Sequence, residues 1–268
     1  MKKRIYFFFL LAVFIFQPVG LELFAESFGS DFPAEVKKIL NAVQFDYNAG
    51  KYLKCIDSLN KFISNTDNPK HYIIYFYIGN SYFQAGIEEE ALNAYKKGIA
   101  LKSNYIPLLY NVGRIYYYRK EYKAALDIAL KIIKIDNSCE YLAFAGNCYY
   151  ETGEFEQAFN FFEKAIEKDF NADFFIMSLH CLIKLGKYEY SEKKCCEFLK
   201  KEPENSRVLL ILFKSYLEMK NYEKAYETLR IVELMHKLPD EYYNTLGSLA
   251  DYLGFPEEAK KYYGKTKE

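Results

Sequence analysis

The feature that most constrains the fold is a set of small residues that recurs about every 34 positions. Glycines stand at 79, 113, 146 and 247, in steps of 34, 33 and 101, and the last step spans three periods. A second set of small residues lies twelve positions C-terminal to this register: Cys55, Ala91, Ala125, Ala158, Ser191, Ala225 and Ala259. Glycine inside a helix costs about 0.5 to 1 kcal/mol relative to alanine, so a periodic glycine needs a packing reason. The pattern predicts seven similar units.

A third register marks a turn inside each unit. Glycine occupies it at 50, 86, 153, 186 and 254, and lysine replaces glycine at 120 and 220. The apolar spacing on both sides is helical, as in Ile78 and Tyr82 before Gly86 and Ala91 and Tyr95 after it. Each unit is therefore predicted to be a helix hairpin whose first helix ends at a left-handed residue. We expect Gly79 to face Ala91, because small side chains let two helix backbones approach.

These residues resemble the tetratricopeptide repeat family. Its pattern W-x2-L-G-x2-Y, A-x3-F-x2-A, P is visible in "YFYIGNSYFQAGIEEEALNAYKKGI", "LLYNVGRIYYYRKEYKAALDIALKI", "LAFAGNCYYETGEFEQAFNFFEKAI" and "YNTLGSLADYLGFPEEAKKYY". The resemblance implies an all-α fold, a right-handed superhelical solenoid of about seven helix hairpins over residues 36–268. The repeats begin near Val36, Tyr72, Ile106, Cys139, Ala172, Ser206 and Asp240. Three repeats depart from the pattern, with Val43, Leu179 and Phe213 at the glycine position.

The resemblance also implies a partner-binding surface, because the first helix of each repeat lines the concave face in this family. The family's groove positions carry Phe76, Asn80, Phe83, Tyr110, Arg114, Tyr117, Tyr118, Asn147 and Tyr150 in repeats two to four. Repeats five and six give His180, Lys184, Lys214 and Glu218. Aromatic rings with Asn and Arg suit peptide recognition, although rings at helical spacing also form cores, and both interpretations stay open.

The family's clamp for a terminal carboxylate is matched only in part. Asn80 and Asn111 occupy its two amide positions, while Phe76, Glu140 and Phe144 stand where the cations are expected. Because Glu140 would repel a carboxylate, the sequence disfavours this clamp.

The N-terminus predicts export. Three cations precede an unbroken apolar run from Ile5 to Phe16, which is the order of a signal peptide and too short to span a bilayer. We predict a signal peptide over residues 1–25, a lead-in over 26–35, and a periplasmic or cell-envelope location. The alternative is an uncleaved anchor, and a membrane contact is expected only in that case.

Charge and motifs exclude several functions. The chain has 36 basic and 36 acidic residues, so no basic excess points to nucleic acid. No H-E-x-x-H, G-x-S-x-G or phosphate-binding glycine loop occurs, and we predict no enzyme, no cofactor and no small-molecule substrate. The six cysteines form no dense framework, and the one cluster that suggests zinc, His180 and Cys181 with Cys195 and Cys196, lacks a known zinc spacing.

The sequence thus predicts a non-catalytic scaffold that binds a protein or peptide partner. The alternative is a structural adaptor, or an accessory subunit of a membrane-associated complex, that self-associates through its terminal repeats. The charged segment "PEEAKKYYGKTKE" is typical of a solubilising cap, whereas "FGSDFPAEV" before the first repeat is apolar enough to dock on a neighbour.

Overall fold

The computed structural model describes residues 32–65 and 69–266, and the regular secondary structure of this part of the chain is entirely α-helix. The chain divides in sequence between Asn137 and Ser138 into two compact units. Each unit is a row of helix hairpins with its own buried core. The all-α class and the seven hairpins predicted from the sequence are confirmed.

Unit one contains three hairpins in its described residues. They are α1 (Ala34–Asn48) with α2 (Tyr52–Ser64), α3 (Tyr72–Gln84) with α4 (Glu88–Leu101), and α5 (Ile106–Tyr118) with α6 (Tyr122–Ile133). Its core is built from large side chains of successive hairpins, among them Leu40, Phe76, Tyr77, Tyr95 and Leu108.

Unit two contains four hairpins in its described residues. They are α7 (Cys139–Thr152) with α8 (Phe155–Lys168), α9 (Ala172–Lys184) with α10 (Tyr188–Leu199), α11 (Ser206–Glu218) with α12 (Tyr222–Met235), and α13 (Asp240–Tyr252) with α14 (Pro256–Lys265). Leu179, Leu182, Val208 and Leu246 are fully buried at its centre.

Every hairpin turns through the same capping motif. After α3, the backbone N–H of Ile87 donates to the carbonyl of Tyr82 at 2.9 Å, and Gly86 donates to Phe83 at 3.0 Å. This Schellman pattern needs a left-handed residue, and Gly86 supplies it with a φ of +77°. Lys120 and Lys220 adopt the same conformation, with φ of +61° and +58°, which confirms that they replace the turn glycine.

The small residues of the second register are all buried, as the period predicts. The expectation that Gly79 faces Ala91 is corrected, because the side chain nearest to Gly79 is Tyr95. A Cβ built on Gly79 would lie 2.5 Å from Tyr95 Cδ1, and one on Gly146 would lie 3.0 Å from Phe162 Cε1. The glycine therefore makes room for an aromatic ring of the following helix, which stands four residues beyond the small residue.

The predicted signal peptide, residues 1–25, lies outside the described residues, as does the lead-in up to residue 31. Within the described part, no helix combines the length and the apolar character needed to cross a bilayer.

Candidate partner-binding site

Unit one carries an open pocket between consecutive first helices, α3 and α5, with α4 behind them. Its lining consists of polar and aromatic side chains: Asn80, Phe83, Gln84, Tyr95, Asn111 and Arg114. The space inside it that solvent can reach is about 10 Å³, which is room for about one water molecule. The pocket therefore suits a single polar group of a larger partner rather than a whole small molecule.

A buried hydrogen-bond network forms the floor of this pocket. Asn80 Oδ1 accepts from the Tyr95 hydroxyl at 2.7 Å and from Asn111 Nδ2 at 3.0 Å. Burial raises the pKa of the Tyr95 hydroxyl well above its usual range, although the positive charge of Arg114 acts to lower that pKa. Tyr95 therefore remains a neutral donor at physiological pH, and the network fixes the Asn80 side chain in one orientation.

Arg114 brings a positive charge to the same pocket. Its side chain is only 4% exposed, and its guanidinium carbon lies 5.8 Å from the ring centre of Tyr110. Desolvating a guanidinium is costly, so a buried arginine beside an opening is an unusual feature for a purely structural core. Together with the two amides, Arg114 makes the pocket suitable for carbonyl or carboxylate oxygens.

The structure brings three of the predicted partner-binding residues, Asn80, Phe83 and Arg114, into this pocket. Phe76 is corrected to a core residue, because its side chain has no exposed surface and packs edge-on against Tyr77 and Tyr105. The physical reason is that neighbouring helices cover α3 on most sides, and its buried residues run almost continuously from Ile73 to Ser81.

The other predicted residues of unit one are half-buried and lie outside the pocket lining. Tyr110 lies against Arg114, and Tyr117 packs on Tyr122 with ring centres 5.3 Å apart. Tyr118 is half-buried at the end of α5. Each of these rings is partly packed against neighbours and partly exposed. The core interpretation and the groove interpretation therefore each apply to part of the ring surface.

Asn147 and Tyr150 belong to unit two and are half-buried on α7. The Tyr150 ring packs against Phe155 with centres 5.3 Å apart, and burial raises the pKa of its hydroxyl to about 12. Asn147 Oδ1 is buried and has no hydrogen-bond partner among the described residues.

Three pocket residues were absent from the predicted binding set: Gln84, Tyr95 and Asn111. Asn111 had a usable signal, since it stands three residues before Arg114 on one helix face and 31 residues after Asn80. Tyr95 lies on the second helix of its hairpin, which the family's groove positions do not include. Gln84 stands one residue beyond Phe83, at the last position of α3.

The His180–Cys181–Cys195–Cys196 cluster shows no metal-binding arrangement. All six cysteines are free, and burial raises the pKa of the Cys181 and Cys195 thiols to about 12. A thiol must lose its proton to bind zinc, so these two are poor ligands. Across the described residues, no group of three His, Cys, Asp or Glu side chains is placed to hold a metal ion.

Comparison with known proteins identifies relatives of this architecture. The family model described as "Anaphase-promoting complex, cyclosome, subunit 3" matches residues 118–194, under a third of the chain. No curated protein matches the sequence.

Three solved structures are similar in fold. A tetratricopeptide repeat protein from Parabacteroides merdae is 17% identical, with 88% of this chain and 93% of that chain covered at a TM-score of 0.62. The C-terminal part of a repeat protein from Cytophaga hutchinsonii is 14% identical, with 84% and 92% covered at a TM-score of 0.66. YrrB, described as a protein with an unusual peptide-binding site, is 20% identical, with 65% and 90% covered at a TM-score of 0.56. At these identities the likeness concerns the fold.

Proposed function

The chain is a tetratricopeptide repeat protein by fold, and we propose that it is a non-catalytic scaffold that binds a peptide or protein segment through the pocket of unit one. Repeat folds of this kind generally serve protein–protein interaction, and their specificity lies in a few exposed residues. The observation that carries the proposal is the nearly buried Arg114 beside Asn80 and Asn111 at the floor of an open pocket.

The amide and guanidinium groups at the pocket are suited to a peptide group. Phe83 and Gln84 are half-buried at the pocket and supply contact area and a flexible amide. Asn111 and Arg114 add directed donors on the next helix, as peptide carbonyl groups require. YrrB, which shares the fold, has a peptide-binding site, and this precedent agrees with the proposal.

A displayed library of random peptides tests this function directly. Peptides enriched on the wild-type protein are synthesised, and their dissociation constants are measured by calorimetry against wild type and a Phe83→Ala, Gln84→Ala variant. We expect this variant to weaken binding by about tenfold or more, because in a small site these two residues supply most of the partly exposed contact area and hot-spot residues cost about 2 kcal/mol or more when truncated.

The matched control is Leu101→Ser with Ile135→Ser. Both side chains are exposed in unit one and lie outside the pocket, at 50% and 47% exposure. The control should bind the selected peptides as wild type does. Failure to enrich any peptide, or equal affinity in the pocket variant, would overturn the proposal.

We further propose that the scaffold works in the bacterial cell envelope, on the strength of the charged and apolar order of residues 2–16. The test is the intact mass of the protein recovered from fractionated cells. A chain that starts at Glu26 in the periplasm supports cleavage and export, an intact Met1 in the membrane fraction supports the anchored alternative, and recovery from the cytoplasm overturns both.

A second candidate is self-association through the terminal repeats, in an adaptor or an accessory subunit. It is favoured by exposed apolar side chains in the first hairpin, where Phe45 is 75% and Leu53 is 65% exposed. Sedimentation equilibrium of wild type against Phe45→Ser, Leu53→Ser tests it. A dimer that dissociates in the variant supports this candidate, and a wild-type monomer at high concentration excludes it.

A further inference from the structure

The outer side of α1 lacks the packing that equivalent residues have in later repeats. Phe45, the tenth residue of its repeat, is 75% exposed, and Ala42, the seventh, is also exposed. In repeats that follow another repeat of the same unit, the tenth residue is buried: Ser81, Ile115, Cys181, Ser215 and Leu249. The seventh residue is buried as well: Ile78, Val112, Ser178, Leu212 and Leu246. Phe45 and Ala42 are therefore exposed because no hairpin precedes α1 among the described residues.

Contacts inside the units show what this side of a first helix normally meets. Ser215, tenth in its repeat, lies with its Oγ 3.0 Å from the Oγ of Ser191 on the second helix of the preceding repeat. Asn111, sixth in its repeat, donates to Asn80, the ninth residue of the preceding repeat. The exposed residues Lys38, Asn41, Ala42 and Phe45 of α1 thus form a surface shaped to receive a preceding hairpin, and we call it the leading face.

The last hairpin of unit two, α13 with α14, has the opposite gap. Its fifth residue, Asn244, is exposed, whereas in repeats followed by another of the same unit the fifth residue is buried or half-buried: Leu40, Phe76, Ala143, Ile176 and Leu210. Phe76 shows the cause, because its ring packs edge-on against Tyr105 at the start of the next repeat. Asn244, Ser248 and Asp251 are exposed on α13, and with Gly264 on α14 we call them the trailing face.

The charges beside the two faces are complementary at positions that pair between repeats. Arg207 pairs with Asp173 at 2.5 Å, and both are the second residue of their repeat. The second residue of the first repeat is Lys37, and that of the last repeat is Glu241. Lys37 forms no ion pair among the described residues.

A second pair follows the same rule. Lys187 and Glu156 lie 3.1 Å apart and are the sixteenth and eighteenth residues of consecutive repeats. The first repeat has Lys51 at the sixteenth position, and the last repeat has Glu257 at the eighteenth. Exposed ion pairs are weak singly, so these charges orient a contact more than they stabilise it.

One set of equivalent positions opposes two lysines, Lys54 and Lys260. Each is balanced inside its own hairpin, since Lys54 pairs with Asp46 at 2.8 Å and Lys260 with Glu257 at 2.9 Å. This repulsion is therefore reduced and leaves the two complementary pairs to decide the orientation.

We propose that the leading face of one copy of this chain docks on the trailing face of a second copy, so that α1 takes the place of a following repeat. This inference rests on the self-association candidate of the proposed function and names the two surfaces that meet. Asn41 bonds to Ser248, and Phe45 packs on α14 beside Gly264, where no atom lies within 4 Å of an added Cβ. Because the two faces differ, the contact is head-to-tail.

The test blocks one face at a time in the full chain, expressed with its own N-terminus. Ala42→Glu with Phe45→Glu places negative charge against α13, which carries Asp240, Glu241 and Asp251 and no basic residue. Asn244→Arg with Gly264→Arg places positive charge against the lysines of α1. Sedimentation velocity over a concentration series should show that wild type associates, and each blocked variant alone should have a dissociation constant at least about tenfold higher. An equimolar mixture of the two variants should form a dimer, because it retains one intact leading face and one intact trailing face.

Two controls change the net charge equally at residues whose positions are exposed in all seven repeats. Leu53→Glu with Asn93→Glu matches the leading-face variant, and Glu227→Arg matches the trailing-face variant. Both controls should associate within about twofold of wild type, since screening weakens charge effects from outside the contact. Circular dichroism verifies that all variants retain their helix content.

Association of the trailing-face variant alone as strongly as wild type would show that copies meet through α1 on both sides, which overturns this inference and keeps the self-association candidate. A mixture that stays monomeric would also overturn the inference. A wild-type monomer at every concentration would exclude both. Peptides selected for the pocket of unit one are measured separately on the blocked variants, so the scaffold function is tested independently.

Discussion

Asn111 Nδ2 donates a hydrogen bond to Asn80 Oδ1 at 3.0 Å, across 31 residues of sequence and from one first helix to the next. The same oxygen accepts from the Tyr95 hydroxyl at 2.7 Å. One acceptor atom thus links α3, α4 and α5 beneath the candidate pocket. This link holds the floor of the pocket rigid. Removing the Asn80 oxygen would leave the Tyr95 hydroxyl and Asn111 Nδ2, two buried donors, without an acceptor.

Replacing the acceptor residue Asn80 should therefore destabilise the folded chain. We expect Asn80→Ala to lower the free energy of unfolding by about 2 to 4 kcal/mol, because each orphaned buried donor costs about 1 to 3 kcal/mol. Tyr95→Phe removes one donor without stranding a partner and should cost about 1 kcal/mol. Urea denaturation at neutral pH measures both. An Asn80→Ala cost no larger than that of Tyr95→Phe would contradict the network.

The contact between Gly79 and Tyr95 gives a second prediction. Because a Cβ on Gly79 would overlap a buried ring that is also hydrogen-bonded, Gly79→Ala should destabilise by about 1 to 3 kcal/mol despite the better helix propensity of alanine. Gly264→Ala is the control, since no atom lies within 4 Å of its added Cβ. The control should change stability by less than about 0.5 kcal/mol in either direction. Thermal melts of the two variants compare them, and equal melting temperatures would refute the assigned packing.

The architecture was predictable because its signals are local and repeated. Helical periodicity defines each hairpin, and a turn that demands a left-handed residue selects glycine, so even Lys120 and Lys220 were identified by register alone. Each of these signals is weak alone, but it recurs in seven repeats, and together the repeats define the register.

The site was predictable only in part because it depends on contacts between repeats. Helix register places Phe76 and Asn80 on related faces, yet Phe76 has no exposed surface while Asn80 lines an opening. The difference comes from the residues packed above each one, Tyr105 in the first case and Asn111 with Arg114 in the second. Tyr95 entered the site because its ring passes over Gly79 and its hydroxyl reaches Asn80.

The left-handed lysines at two turns, Lys120 and Lys220, predict a stabilising substitution. Lys220 holds a φ of +58°, a conformation that costs a residue with a Cβ about 1 kcal/mol. Lys220→Gly should raise the free energy of unfolding by about 0.5 to 1 kcal/mol, because the strain exceeds the added entropy of unfolded glycine. The converse change, Gly254→Lys at a φ of +82°, should lower it by a similar amount. Urea midpoints of the pair measure the effect, and shifts of the same sign would contradict the capping argument.

His180 predicts how unit two responds to acid. Its pKa is lowered from 6.5 to about 4, first by burial and then by Lys214, Arg207 and Lys184. The unfolded chain therefore binds a proton on this ring more readily than the folded chain does between these two values. Above about pH 6.5 the ring is neutral in both the folded and the unfolded chain and does not reduce the free energy of unfolding. The free energy of unfolding then falls as the pH drops from there toward 4.

Removing this histidine should remove that part of the acid sensitivity. Between pH 7 and pH 4 we expect wild type to lose about 2 to 3 kcal/mol more than His180→Gln, since one pKa unit corresponds to about 1.4 kcal/mol. His236→Gln is the matched control, because that side chain is exposed, and it should follow wild type. Urea unfolding of all three proteins across this pH range makes the measurement. Parallel pH profiles for wild type and His180→Gln would show that the imidazole is protonated in the folded chain as readily as in the unfolded one, and would contradict the burial of His180.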